Sequence, residues 1–261
     1  MSSTQQTSTQ QTSTQDHGTG RTVVITGAAG GVGAALTARF LTNGDHVVAT
    51  DLSEDALATL RADLGAGDEL VTVAGSIADE DDVRTLADVV RAQGGVDVLL
   101  NVAGFFPFDL FTDTTPDRWR QVIDINLTGY FLVTSALLPL MTGRGWGRIV
   151  NVGSASMYPG VAGQVHYVSA KAGLVGFTRS LAREVGAEGI TVNLLTPGVT
   201  LTGPVLDSFP PELIASQREN RALARDQHAE DLVGPAFFLA SPDADFVTGQ
   251  TLNVDGGMFM N

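Results

Sequence analysis

One pair of residues in this chain has the type and spacing needed to move a proton. Lys171 is the only lysine of the chain, and it follows Tyr167, one of three tyrosines, by four residues. Residues at this spacing share one face of a helix. An ammonium beside a phenol favours the phenolate, so we expect Lys171 to lower the pKa of Tyr167 from about 10 toward neutrality. Such a phenol could work as a general acid and base.

A glycine-rich turn near the start of the chain could hold a phosphate group. The stretch TGAAGGVG, from Thr26 to Gly33, follows a run of β-branched residues and precedes a helical pattern. In a strand–turn–helix unit, such a turn brings a pyrophosphate to the N-terminus of the helix. Asp51 ends the next strand, where a carboxylate accepts hydrogen bonds from ribose hydroxyls and repels a 2′-phosphate. This pattern predicts NAD as the cofactor rather than NADP.

The elements that must position these residues alternate between strand and helix. Strands are predicted at 23–26, 46–51, 70–74, 96–102, 147–152, 191–195 and 251–254, and helices at 32–43, 54–64, 79–93, 116–143 with a break near 124–126, 165–186 and 229–240. Strands that are apolar on both faces and separated by helices indicate an α/β fold. We predict a single-domain Rossmann fold, with a doubly wound parallel seven-stranded sheet and helices on both faces.

The domain organisation and the partners follow from composition. Residues 1–20 repeat glutamine, threonine and serine almost without apolar residues, which predicts a disordered low-complexity tail before a catalytic domain at 21–261. A net charge of −14 argues against nucleic acid and anionic membranes as partners. Without cysteine, and with four histidines that lack ligand spacing, we expect no metal. Since no apolar stretch reaches about 20 residues, we expect no membrane span and a cytoplasmic protein.

Further motifs surround the tyrosine–lysine pair in a fixed order. Ser154 lies thirteen residues before Tyr167, just after a predicted strand, and Asn126 stands in the stretch INLTG before a long helical region. The stretches NVAG at 101–104, PGVTLT at 197–202 and DGG at 255–257 follow at the ends of other strands. Together with TGAAGGVG and YVSAK, these motifs resemble the short-chain dehydrogenase/reductase family over residues 22 to 257.

The resemblance implies a role for each matching residue. Tyr167 would exchange a proton with the substrate oxygen, Lys171 would bind the nicotinamide ribose, and Ser154 would stabilise the developing charge. Asn126 would hold a water behind Lys171. Members that prefer NADP usually carry a basic residue at Gly30 or Leu52, and neither is basic here. The cofactor would be bound by Gly27, Gly31, Val32, Gly33, Asp51, Leu52, Ser76, Ile77, Asn101, Ala103, Gly104, Tyr167, Lys171, Pro197, Gly198, Val199, Thr200 and Thr202.

Apolar residues beside these motifs predict the character of the substrate. Phe105 and Phe106 follow the fourth strand, and Met157 and Tyr158 follow Ser154. Because ligands of such sheets bind at the carboxyl ends of the strands, we expect these four residues to form the substrate pocket. The expected substrate is a hydrophobic cyclic or aryl secondary alcohol or ketone. We expect residues 201–220 to form a mobile lid and residues 258–259 to reach a neighbouring subunit's pocket.

Other functions remain open from the sequence. By resemblance the protein would be a homotetramer that pairs its helices around 126–143 and 165–186. The alternative within enzymes is a 3-oxoacyl-[acyl-carrier-protein] reductase that uses NADPH, and a non-catalytic NAD-binding scaffold is a further alternative. A hydrolase with Ser169 as nucleophile would need a glycine elbow and a suitable histidine and acid, which the sequence does not supply around it.

Overall fold

The structure is a computed structural model that describes residues 17–260. Seven strands form one sheet: β1 Thr22–Thr26, β2 His46–Asp51, β3 Leu70–Ala74, β4 Val98–Asn101, β5 Gly147–Val152, β6 Ile190–Pro197 and β7 Thr251–Val254. Their order is β3-β2-β1-β4-β5-β6-β7, and each neighbouring pair is parallel. This arrangement confirms the predicted doubly wound parallel sheet.

Nine α-helices connect the strands within residues 17–260: α1 Gly31–Thr42, α2 Glu54–Leu64, α3 Glu80–Ala92, α4 Pro116–Ile123, α5 Gly129–Leu137, α6 Val165–Val185, α7 Gly203–Ser208, α8 Pro211–Asn220 and α9 Glu230–Leu239. Several begin at residues that cap them. Ser53 caps α2, Asp79 caps α3 and Thr115 caps α4 through side-chain oxygens that accept backbone N–H groups. Helices α7 and α8 occupy the segment that was predicted only as a lid.

The two faces of the sheet carry separate hydrophobic layers. On one face, α3, α5 and α6 pack Leu86, Val133 and Leu174 against strand residues such as Leu99. On the other, α1, α2 and α9 contribute residues such as Phe40 to a second layer. Strand β1 pairs with both β2 and β4, so the strand order reverses there. In a doubly wound sheet this reversal opens a crevice at the carboxyl ends of the strands, where ligands bind.

The helical region after β4 is interrupted where the sequence indicated a break. Residues Asp124–Thr128 form a π-helical turn between α4 and α5, a feature that often occurs at functional sites. The continuous segment Pro116–Leu140 is long and apolar enough, by length and composition, to cross a membrane. Here α4 packs against α6 and α5 packs against α3, as the core helix of a globular domain does.

The folded domain begins before the predicted boundary at residue 21. The ring of His17 stacks on Trp146 with centroids 4.6 Å apart, Asn43 donates to the Gly18 carbonyl, and the Gly20 N–H donates to the Gly44 carbonyl. Residues 17–20 therefore contact the domain instead of belonging to a disordered tail. The rest of the predicted tail, residues 1–16, lies outside the described residues.

Candidate active site

The turn after β1 leaves room for a ligand at the start of α1. Gly27 has a φ of +65° and lies so close to the backbone that follows β4 that a Cβ there would be 2.7 Å from the Cα of Ala103. A Cβ on Gly33 would be 2.1 Å from the Gly27 carbonyl oxygen. No side chain caps α1 at Gly30, and its first turn carries no acid. The first-turn amides can therefore receive an anion, which fits a pyrophosphate.

Asp51 stands at the end of β2, on the border of the same cavity. Its carboxylate accepts the Ala29 N–H at 3.0 Å and the Leu52 N–H at 2.8 Å. Each of these contacts uses a different carboxylate oxygen, so the group is fixed beside the glycine turn with lone pairs left for a ribose. Among the described residues that line the cavity, Asp51 is the only acid and Lys171 the only base.

Ser154 and Tyr167 meet at the carboxyl end of β5. Ser154 begins the 3-10 turn after β5, and its hydroxyl lies 2.8 Å from that of Ser156. Tyr167 lies in the first turn of α6. Burial raises the pKa of Tyr167 to about 12, although its hydrogen bond with Ser154 acts to lower it. At neutral pH the phenol is therefore protonated and can donate.

Lys171 is buried, and its amine forms no ion pair with an acid of residues 17–260. Its Nζ donates to the Val152 carbonyl at 2.9 Å and to the Tyr130 hydroxyl at 3.1 Å, and it lies 5.8 Å from the centre of the Tyr167 ring. Burial lowers the pKa of Lys171 to about 7. The expected lowering of the Tyr167 pKa by Lys171 is not found in this arrangement, where burial has the largest effect on the pKa of each group.

The two predicted asparagines lie behind the cavity and do not line it. Asn126 is buried in the π-helical turn, where its Oδ1 accepts from the Phe105 N–H while its Nδ2 donates to the Phe105 and Val122 carbonyls. Asn101 is buried in β4, and its Nδ2 donates to Thr134 and Asn151. The Asn101 side chain therefore ties β4 to its neighbours, and its predicted contact with a cofactor stays a prediction.

All but two of the other predicted site residues surround one cavity of about 750 Å³. From the sets predicted above, the cavity is lined by Gly27, Gly31, Val32, Gly33, Asp51, Leu52, Ser76, Ile77, Ala103, Gly104, Phe105, Phe106, Ser154, Tyr167, Lys171, Pro197, Gly198, Val199, Thr200 and Thr202. It runs from the glycine turn, past the ends of β4 and β5, to the helices after β6. One crevice can therefore hold a dinucleotide at one end and a second molecule at the other.

The end of the cavity beside Tyr167 is aromatic. The ring of Phe106 approaches Tyr167 edge-on at 6.3 Å, and Phe209 packs edge-on against Phe106 and Phe108. The loop that carries Phe105 to Phe108 is tied down by Asp109, which contacts Arg118 Nε at 2.9 Å and His166 Nε2 at 3.1 Å. Its aromatic wall is therefore anchored to α4 and α6.

Two predicted pocket residues lie elsewhere. Met157 packs against the hydrophobic layer of α3, α5 and α6, and Tyr158 has its ring 6.1 Å from that of Phe259; neither lines the cavity. Both belong to the short 3-10 turn after Ser154 and its C-cap, of which Ala155 and Ser156 do line the cavity. Met258 and Phe259 line the cavity of their own chain; their predicted reach into a neighbouring subunit's pocket stays a prediction.

Residues outside the predicted set of cofactor and pocket residues complete this wall. Val161, Gln164, Val205, Phe209, Leu213 and Gln217 also line the cavity. The last four come from α7, α8 and the link between them, so the segment predicted as a lid lies over the site. The mobility of this segment stays a prediction. The sequence signalled this part of the wall only through the apolar and aromatic residues of two short helices. Their spacing does not relate them to Tyr167.

Comparisons with known proteins agree with this geometry. A family model described as enoyl-(acyl carrier protein) reductase matches residues 27–259. The chain is 34% identical to 3-oxoacyl-[acyl-carrier-protein] reductase FabG of Salmonella typhimurium over 245 residues, which are 92% of this chain and 98% of the relative. The chain belongs to the short-chain dehydrogenase/reductase family. This confirms the family that its motifs resembled.

Two further members of the family resemble the chain over nearly its whole length. It is 34% identical to nodulation protein G of Azospirillum brasilense, over 90% of this chain and 96% of the relative. Its fold matches a short-chain dehydrogenase/reductase from Brucella melitensis, described as glucose/ribitol dehydrogenase, with a TM-score of 0.89 and 30% identity. That match covers 93% of this chain and 98% of the solved one. The family binds a nicotinamide cofactor, and the cradle described above fits one.

Proposed function

We propose that this protein is an NADH-dependent reductase of ketones with hydrophobic, cyclic or aryl substituents. The observation that carries the proposal is the position of Tyr167 and Ser154 at the aromatic end of a cavity whose other end holds Asp51. Bound NADH supplies the hydride. Ser154 would hydrogen-bond the carbonyl oxygen and stabilise the charge that develops there. Tyr167 would donate the proton that converts the alkoxide into an alcohol.

The protonation state of Tyr167 favours the reductive direction. A phenol with a pKa of about 12 keeps its proton at neutral pH and can act as an acid at once. Oxidation of an alcohol needs the phenolate instead. The rate of alcohol oxidation should therefore rise with pH toward the pKa of Tyr167, whereas the rate of ketone reduction should change little across neutral pH. The sign follows from burial, which disfavours the charged phenolate.

The preference for NADH is supported by the charges around the adenosine end. A 2′-phosphate would meet the Asp51 carboxylate, and Leu52, which is 72% exposed at the rim, offers no cation. Lys171 is the only base among the described residues of the lining, and it hydrogen-bonds at the end of β5 instead. A 2′-phosphate that finds no cation there would lose up to roughly 3 kcal/mol of binding free energy, which corresponds to about a hundredfold in affinity.

A second function, 3-oxoacyl-[acyl-carrier-protein] reductase, is favoured by the relatives. They support it more directly than they support an alcohol dehydrogenase, since several of them carry that name. It requires the same chemistry, because a 3-oxoacyl thioester also presents a ketone beside an apolar chain. Against it stand the net charge of −14, which opposes an acidic carrier protein, and Asp51, which opposes NADPH. A scaffold without catalysis would have no need of Ser154 and Tyr167 together.

The two functions differ in cofactor and in substrate, so one kinetic experiment separates them. Consumption of NADH and NADPH should be followed with cyclic and aryl ketones, a 3-oxoacyl thioester without carrier, and the same acyl group on an acyl carrier protein. We expect kcat/KM about a hundredfold higher with NADH and no gain from the carrier. A preference for NADPH and the carrier-bound group would contradict the first function and support the second.

The cofactor argument has a variant of its own. Leu52→Arg should place a cation beside Asp51 and narrow the preference for NADH by about tenfold, which corresponds to roughly 1.4 kcal/mol. Ala58→Arg adds the same charge to an exposed position of α2 that does not line the cavity. This control should leave the ratio unchanged. An unchanged ratio in both variants would show that the rim at Leu52 does not face the ribose.

We also propose that the protein is a cytoplasmic homotetramer. Trp119 on α4 and Phe131 on α5 are 37% and 53% exposed, and apolar side chains at such positions favour a subunit contact. Light scattering should give a mass near four times 27.3 kDa. A mass near 27.3 kDa would contradict the proposed assembly without affecting the proposed reaction.

A further inference from the structure

Tyr130 brings a buried hydroxyl to the active-site lysine. It lies in the first turn of α5, fully buried, and its hydroxyl is 3.1 Å from Lys171 Nζ. The same hydroxyl is 3.0 Å from the carbonyl of Ala103, after β4, and 3.0 Å from that of Val152, at the end of β5. One side chain thus joins two strand ends to the lysine of α6.

The single hydrogen of this phenol decides the direction of the bonds. Burial raises the pKa of Tyr130 well above its usual value, so the hydroxyl carries its proton. Val152 O already accepts from Lys171 at 2.9 Å. With its one hydrogen donated to the Ala103 carbonyl, the phenolic oxygen can accept from Lys171, and the Val152 carbonyl is then served by Lys171 rather than by Tyr130. In this arrangement the phenolic oxygen is an acceptor directed at the amine.

Other groups near Lys171 do not perform this task. Both polar atoms of the Asn126 side chain already hydrogen-bond to backbone. No carboxylate of residues 17–260 forms an ion pair with Lys171; Asp117 and Asp124 of the neighbouring helical turns are exposed, and Arg118 pairs with Asp109. Tyr167 presents its ring to the amine. Tyr130 is therefore the side-chain acceptor of Lys171 in the described structure.

We propose that Tyr130 is a positioning residue for Lys171: its hydroxyl holds the amine at the ends of β4 and β5 and favours the protonated amine. An acceptor that bonds to the ammonium stabilises that form over the neutral one. The ring of Tyr130 adds to this, since its centre lies 4.8 Å from Nζ. The consequence for turnover rests on the proposed function, whereas the effect on the proton of Lys171 does not.

The chain allows this effect to be measured directly. Lys171 is the only lysine, so untagged protein grown with isotope-labelled lysine should give one side-chain signal whose shift can be followed against pH. In the wild-type protein the pKa should lie far below that of a free lysine, near 7. Tyr130→Phe keeps the ring and removes the acceptor. We expect its Lys171 pKa to be lower by about one, a tenfold weaker hold on the proton.

A matched control lies one turn further along α5. Thr134→Val removes a buried hydroxyl that accepts from Asn101 and does not touch Lys171. It should leave the pKa of Lys171 unchanged even if it lowers the melting temperature. An equal pKa in the wild type and in Tyr130→Phe would overturn the proposal. Unfolding of Tyr130→Phe would also contradict it, because the hydroxyl would then serve folding rather than the lysine.

Turnover separates this inference from the proposed reaction. If Lys171 assists Tyr167, Tyr130→Phe should lower kcat several-fold, while KM for the ketone stays unchanged because the hydroxyl does not line the cavity. A shifted Lys171 pKa together with an unchanged kcat would leave the positioning role intact. It would instead contradict the part that Lys171 plays in the proposed function.

Discussion

Tyr167→Phe should lose about a thousandfold or more of kcat/KM for ketone reduction while it still binds NADH. A positioned general acid contributes about 10²–10⁴-fold, and this variant removes the phenolic proton that the proposed reaction transfers. Ser154 could still hydrogen-bond the carbonyl oxygen, but in the proposed reaction it does not transfer a proton to it. The variant keeps the ring that packs against Phe106. Stopped assays of product, together with NADH titration by fluorescence, measure the two effects separately.

The control for this loss is a hydroxyl on the same helix. Ser169 lies two residues after Tyr167, is exposed and does not line the cavity. Ser169→Ala should retain full activity, which a hydrolase with Ser169 as nucleophile would not allow. Wild-type rates in Tyr167→Phe would end the assignment of Tyr167 as the acid. Weakened NADH binding in that variant would show that the phenol serves the cofactor instead.

Arg21→Gln should strongly destabilise the fold. The Arg21 and Asp45 side chains are 2% and 0% exposed, and they form a two-pronged contact at 3.0 and 2.6 Å. Arg21 also donates to the Ala240 carbonyl and so connects β1 to the end of α9. Without the arginine, Asp45 would remain as a buried charge without its partner, which costs about 3–5 kcal/mol. In a domain of this size the melting temperature should fall by on the order of 10 °C.

An exposed ion pair provides the comparison. Arg84 pairs with Asp81 one turn away on α3, with side chains 65% and 83% exposed. Water screens such a pair, so Arg84→Gln should change the free energy of unfolding by less than about 1 kcal/mol. Calorimetry of both variants measures the difference. Equal melting temperatures would mean that Asp45 finds other partners, such as Asn43, whose Nδ2 lies at 3.1 Å.

The regular elements could be predicted because each is encoded locally. Strands β2, β3, β5 and β7 and helix α2 begin and end where their periodicity predicted, because apolar runs, caps and glycines act within a few residues. Helices α7 and α8 were missed, since their sequence carries prolines and few periodic apolar residues. They are helical where they pack over the cavity and place Val205 and Phe209 in its wall. Such tertiary contacts override weak local preference.

The polar residues of the candidate site could be predicted because their spacing follows from the chemistry. Tyr167 and Lys171 share one helix, and the glycine turn and Asp51 follow successive strands, so their proximity is set by the sheet. The aromatic wall could be predicted only in part. Phe105 and Phe106 follow a strand end directly, whereas Met157 and Tyr158 depend on the path of a 3-10 turn, which two or three backbone angles decide.

The sequence by itself determined the family, the seven-stranded sheet and the residues that could bind a cofactor and move a proton. Only the tertiary structure decided the environment of those residues. Tyr130 and Lys171 are 41 positions apart, and Arg21 and Asp45 are 24 apart, so no local pattern relates them. Burial, which raises the pKa of Tyr167 and lowers that of Lys171, depends on every segment that closes the cavity. Spacing identifies a reactive pair, but packing sets its proton affinities.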